Sequence, residues 1–302
     1  MHVKIMKKLD RYILLGCLLI SKIYAAGSYV EDFERYGTLN FSGGQASMSD
    51  GAIIKASDSS AINIYQNSSS WKALRMAQDG TRNTISTYII GPIEQGDRVN
   101  NFTASFDIQF KNVSDYPADR FSFNFGNLTG LLPRDGENGL WSAGQAGSML
   151  SVVWDFYYNH DISGEFIGSG INGGIEVYKN GSLLSGSQVD NPAKVFDSIQ
   201  NTFTRFNIQY NEELNGSQLI LNYGGTVDLG GNIVGGSNLY TLTNLGLSFS
   251  VGDKFAMSSS TGGSDMDVFV DNVAISTVPE PSALLLLAVG LGVVLRRRRR
   301  TV

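Results

Sequence analysis

Cysteine is almost missing from this chain. Cys17 is the only one in 302 residues, so no disulfide can close within the chain and no Cys-rich zinc cluster can form. Histidine is nearly as rare. His2 and His160 are the two, and only His160 lies in the body, so a Ser–His relay network is not well supplied. Proline stands at 6 residues and charged residues at 17%. Positive charge is short in the body of the chain. Between Ser28 and Thr277, 13 Lys and Arg stand against 26 Asp and Glu. Such a surface repels the phosphates of nucleic acid and suits cations or neutral partners. That stretch also lacks a heptad pattern, a repeat of fixed period and a strong helical stripe.

Glycine (35 residues) and hydrophobic residues (42%) are plentiful. Glycine costs about 1 kcal/mol at each helix-interior position, so a turn-rich β protein fits this composition better than a helical bundle. Apolar residues alternate with period two. Phe102, Ala104, Phe106, Ile108 and Phe110 line one face of a candidate strand, and Phe121, Phe123 and Phe125 line another. Phe206, Ile208 and Tyr210, then Leu219, Leu221 and Tyr223, follow the same rule. Turn pairs separate these runs at Asn180-Gly181, Asn215-Gly216, Gly224-Gly225, Gly230-Gly231 and Gly262-Gly263. The pattern predicts an all-β sandwich of two antiparallel sheets over residues 28–277, with a long loop over 126–147.

The ends differ from the body. Lys4, Lys7, Lys8 and Arg11 precede a short apolar run from Tyr12 to Ile20, and the small residues Ala25, Ala26 and Gly27 follow. This reads as a secretory signal helix over residues 1–27, handled by the Sec machinery and cut after Ala25 or Gly27. The rival readings are an uncleaved anchor and lipidation at Cys17. The other end reads Pro279-Glu280-Pro281, then 13 uncharged residues from Ala283 to Leu295, then Arg296, Arg297, Arg298, Arg299 and Arg300. As a helix the apolar run measures about 20 Å against a bilayer core of about 30 Å, with its arginines held on the cytoplasmic side. The order of these parts resembles the PEP-CTERM sorting signal of Gram-negative bacteria. That resemblance implies recognition by an exosortase, transient residence in the inner membrane through 283–295, cleavage near the Pro-Glu-Pro, and export to the cell surface or exopolysaccharide matrix. A plain membrane anchor is the simpler alternative.

Two stretches of the body carry candidate chemistry. One is Ala118-Asp119-Arg120-Phe121-Ser122-Phe123. The other is Val152-Val153-Trp154-Asp155-Phe156-Tyr157-Tyr158-Asn159-His160-Asp161. In the second, oxygen donors recur at two-residue steps: Asp155, the Tyr157 carbonyl, Asn159 and Asp161. Calcium takes six to eight oxygens from carboxylates, amides and carbonyls, so this set suits a hard cation. The tyrosine rings offer flat faces for a sugar. The plainer reading of Asp155 is a turn carboxylate bonding nearby backbone N–H groups.

These stretches, with Phe255 to Ile275, resemble the motifs of the concanavalin A-like, L-type lectin superfamily, and the similarity spans most of 28–277. The resemblance implies a concanavalin A-like jelly-roll sandwich and a glycan partner. It makes Asp119, Tyr157 and Asn159 the carbohydrate-binding residues, and Asp155, Tyr157, Asn159 and Asp161 the ligands of a Ca2+ ion. Three positions depart from the family. Val153 stands where the family has a metal-ligand Glu. Ser163 stands where it has an Asp, leaving Asp161 or Glu165 to substitute. Arg120 replaces a Gly, and its side chain would fill or reshape the pocket. The glycosidases of this fold place a Glu-x-Asp-x-x-Glu on one strand, and residues 151–161 contain no Glu. The expectation is therefore a non-enzymatic, exported carbohydrate-binding protein. The alternatives are a non-binding structural surface protein and a glycoside hydrolase on the same fold.

Overall fold

Strands form where the alternation predicts them, and two eight-stranded antiparallel sheets stack face to face. The computed structural model describes residues 27–42, 45–60, 62–66, 71–81, 84–93, 98–111, 120–128, 149–155, 174–184, 202–212, 216–228, 232–261 and 266–277. The expected signal helix, C-terminal helix and Pro-Glu-Pro segment lie outside these residues, as does most of the long loop expected over 126–147.

The first sheet contains β1 (Ser28–Glu31), β4 (Asn63–Gln66), β5 (Lys72–Ala77), β7 (Asn101–Lys111), β12 (Thr204–Asn211), β13 (Gln218–Tyr223), β16 (Ser237–Thr243) and β18 (Asp267–Thr277). Its order is β16-β13-β12-β7-β18-β5-β4, with β1 also paired to β18. The second contains β2 (Gln45–Ser47), β3 (Ile53–Ala56), β6 (Ile85–Ile90), β8 (Arg120–Gly126), β9 (Met149–Asp155), β10 (Gly174–Lys179), β11 (Ser182–Leu183) and β17 (Lys254–Ser260). Its order is β11-β10-β9-β8-β17-β6-β3-β2. A small hairpin of β14 (Thr226–Val227) and β15 (Ile233–Val234) completes the described elements. The Asn180-Gly181 pair joins β10 to β11 with both residues at positive φ, 51° and 79°, as a two-residue hairpin turn requires.

The core lies between the sheets. Phe102, Phe106 and Phe110 of β7 are buried, as are Phe121, Phe123 and Phe125 of β8. Each buried Phe contributes roughly 1.5–3 kcal/mol through removal from water. Ring contacts across the layers fix how the sheets align. Phe102 meets Phe125 at 4.9 Å and Phe255 at 5.1 Å, while Phe106 meets Phe121 at 6.0 Å and Trp154 at 5.8 Å. Phe206, Ile208, Tyr210, Leu219 and Leu221 are buried, whereas Tyr223 packs on the rim of the cluster.

This alignment gives the sandwich two distinct ends. At the head end β7 stops at Lys111, β8 begins at Arg120, β9 stops at Asp155, β10 begins at Gly174, and β17 gives way to β18 between Ser260 and Asp267. At the foot end β7 begins, β8 stops, and both ends of the body meet. There β1 pairs with the last residues of β18, Ser28 opposite Ser276. The carbonyl of Gly27 accepts hydrogen bonds from Thr277 N at 2.9 Å and Thr277 Oγ1 at 3.1 Å. A Cβ on Gly27 would lie 2.4 Å from Ile93 Cγ2, so the chain enters the fold through a gap that only glycine fits.

Candidate functional site at the head end

The two sequence stretches meet at the head end. Arg120, first residue of β8, is the register partner of Asp155, last residue of β9. Asp155 also pairs with Gly174 of β10, and Arg120 with Ser260 of β17. Opposed Cα atoms in an antiparallel pair are about 4.5–5.5 Å apart, so the connection 112–119 ends beside the point of the second sheet where the connection 156–173 starts. Asp119 is the residue just before Arg120, and Tyr157, Asn159 and Asp161 follow Asp155. Those four residues lie outside the described structure, and of Asp155 only the backbone is described.

The outer face of the second sheet differs from the solvated face that alternation would suggest. Several of its polar side chains are buried: Thr87, Ser122, Asn124, Ser151, Ser258 and Glu176 are all at most 5% exposed. Asn124 Nδ2 donates to Ser122 Oγ at 2.9 Å, and the hydroxyls of Thr87 and Ser258 are 3.1 Å apart. Asn124 Oδ1, Ser151 Oγ and Ser260 Oγ are buried without a hydrogen-bond partner. A small apolar cluster of Ile89, Leu128, Met149 and Ala256 occupies the foot side of this face.

Glu176, a buried carboxylate of β10, lies on this face beside Val153. Val153 pairs with Ser122 on one side and Glu176 on the other. A carboxylate thus stands on the adjacent strand at the level of position 153, where Tyr178 Oη donates to Glu176 Oε2 at 2.6 Å. The connection 156–173 hides this register, because its length gives no cue to which β10 residue falls opposite Val153.

The outer face of the first sheet carries a second charged group. Arg205 holds Asp107 through Nε at 2.6 Å and Nη2 at 2.7 Å, and Asn272 Nδ2 donates to the same carboxylate at 2.8 Å. Asp271, opposite Asp107 in β18, is pushed up to about 7 by burial, with the charges of Asp107, Glu34 and Asp32 adding to it. Among the described residues no group of three or more His, Cys, Asp and Glu is arranged to hold a metal, and no helix is long and apolar enough to cross a membrane.

Comparison with known proteins identifies both parts of the chain. Residues 277–300 match the model of the PEP-CTERM protein-sorting motif. The sandwich is similar to a lectin from Bauhinia forficata solved in complex with GalNAc: 16% identity, 84% of this chain and 99% of that one covered, TM-score 0.54. It is also similar to lectin I-B4 from Griffonia simplicifolia in a metal-free form (14% identity, 83% and 99% covered, TM-score 0.53). Peanut lectin follows at 15% identity, with 84% and 99% covered and a TM-score of 0.51. A search of curated protein sequences finds no match. The chain therefore has the concanavalin A-like fold of the legume lectins and ends in a PEP-CTERM sorting motif, the mark of an exported chain with a transiently membrane-anchored stage.

Proposed function

We propose that this is an exported, non-enzymatic carbohydrate-binding protein of the cell surface or exopolysaccharide matrix, released from the inner membrane by an exosortase. The sugar would sit at the head end. There the Asp119 carboxylate and the Asn159 amide bond its hydroxyls, and the Tyr157 ring lies against it. The observation that carries this reading is the Arg120–Asp155 pairing, which sets the end of one loop beside the start of the other. Loops on a rigid scaffold are the usual carriers of binding sites.

A Ca2+ ion fits the donor set, which is oxygen throughout: Asp155, the Tyr157 carbonyl, Asn159 and Asp161. The ion would orient the loop and neutralise its carboxylates. The site lacks the carboxylate at 153 that a second, transition-metal site would use, and Glu176 stands beside that position.

The test is a pull-down of the chain with the polysaccharide of its own host, together with a glycan array, in calcium and in chelator. Retention that is lost on Asp119→Asn supports the proposal. No retention in either condition refutes it and leaves a non-binding structural protein on the same fold. Release of reducing ends from β-glucans would instead support the hydrolase alternative.

A further inference from the structure

The two ends of the sandwich have opposite jobs, and the length of the chain beyond Thr277 sets their orientation. Strand β18 runs from Asp267 at the head to Thr277 at the foot. Its eleven residues span about 33 Å at roughly 3.3 Å per residue. The apolar run of the sorting tail begins at Ala283, six residues beyond Thr277. Fully extended, that connection reaches about 20 Å. A head end lying on the bilayer would need Thr277 about 33 Å above it, farther than the connection extends.

The leader leaves from the same point. Gly27 is hydrogen-bonded to Thr277, and its close fit against Ile93 leaves no slack. Ile20, the last residue of the leader's apolar run, precedes Gly27 by seven positions. Both membrane-seeking segments therefore hang from the foot.

We propose that the foot end, with Gly27, Thr277 and the turn at Val251, faces the bilayer while the tail is uncleaved, and that the head end is held outward, available to an extracellular polymer before release. Its partner at the foot is the lipid surface that the tail enters. Polymer capture and tail removal then take place at opposite ends of one rigid body and do not compete. The orientation follows from strand direction and chain length. The identity of what binds at the head rests on the function proposed above.

The lack of cysteine makes this measurable. With Cys17→Ser in the full chain, a single label is placed at Val251→Cys, an exposed foot-end position, or at Ser59→Cys, an exposed turn residue at the head end. The head-end placement follows from the neighbouring Ser57, whose N–H donates to Ile85 O at the start of β6. Each labelled chain is reconstituted in vesicles of phosphatidylethanolamine and phosphatidylglycerol that carry an acceptor dye in the headgroups. Strong energy transfer from position 251 with weak transfer from position 59 supports the proposal. Equal or reversed transfer overturns it.

A second arm compares polysaccharide binding by the vesicle-tethered chain and by the full chain in detergent. Binding in both supports the proposal. Binding in detergent that is lost on the vesicle overturns it. No binding in either refutes the glycan reading, and the energy-transfer result alone then decides the orientation.

Discussion

Replacing Asp271 by Asn should stabilise the protein at pH 8 and leave it nearly unchanged at pH 4. Asp271 is held up at about 7 by burial and by the like charges of Asp107, Glu34 and Asp32. In the unfolded chain it titrates near an ordinary carboxylate value of about 3.9. Between those values the folded state keeps a proton that the unfolded state has released. Stability therefore falls as pH rises from about 4 to about 7 and is level above that. The full shift corresponds to about 4 kcal/mol, and partial exposure of the side chain to solvent screens it to about 1–2 kcal/mol. Asparagine keeps the shape and the acceptor that receives the Asn272 N–H at 2.7 Å, while removing the charge. For a body of this size the gain at pH 8 is roughly 2–4 °C in Tm. The measurement is thermal unfolding of both chains at pH 4 and pH 8, scored as the difference between them, so that other carboxylates cancel. Equal differences at the two pH values, or a loss of stability at pH 8, would refute the reasoning.

Other outcomes follow from packing and backbone geometry. Phe123→Ala empties a fully buried position between the sheets, against Phe102, Phe106 and Phe255, and should cost about 3–5 kcal/mol in urea unfolding. Gly236→Ala and Gly252→Ala separate two effects. Both glycines have positive φ, but a Cβ on Gly236 would lie 2.4 Å from Gly225 N, whereas Gly252 has nothing within 4 Å. The Gly252 change should cost about 1 kcal/mol from backbone strain alone and the Gly236 change clearly more; equal costs would contradict the steric reading. Calcium should raise Tm through binding to the native state, and Asp155→Asn should abolish that rise without altering the calcium-free Tm.

Much of the architecture is legible in the residues because one face of most strands is apolar and continuous. In β7 the row from Phe102 to Phe110 gives the strand and its inward face, and Phe121 to Phe125 does the same for β8. Strands buried on both faces carry no such alternation. Ser258, Ser259 and Ser260 of β17 carry no apolar alternation, yet all three are buried in the middle of the second sheet. All six residues of β6 are buried, so no alternation marks its faces. Contacts between neighbouring strands are also hidden. Glu176 beside Val153 is one case. Another is the Asn207–Asn222 pair, whose amides donate to Gly225 O and Gly235 O, both at 3.1 Å, and pin the β14–β15 hairpin. For the candidate site, sequence identifies the residue types and the strand ends identify the neighbourhood. Asp119, Tyr157, Asn159 and Asp161 lie outside the described residues, so their roles stand as proposals.

Hydrogen exchange on the full chain, with and without saturating host polysaccharide in calcium, tests the central claim most directly. Slower exchange confined to 112–119 and 156–173, with 244–253 at the foot unaffected, is the outcome the account requires. Protection at the foot or across the first sheet's outer face, with the head-end loops unchanged, would contradict it.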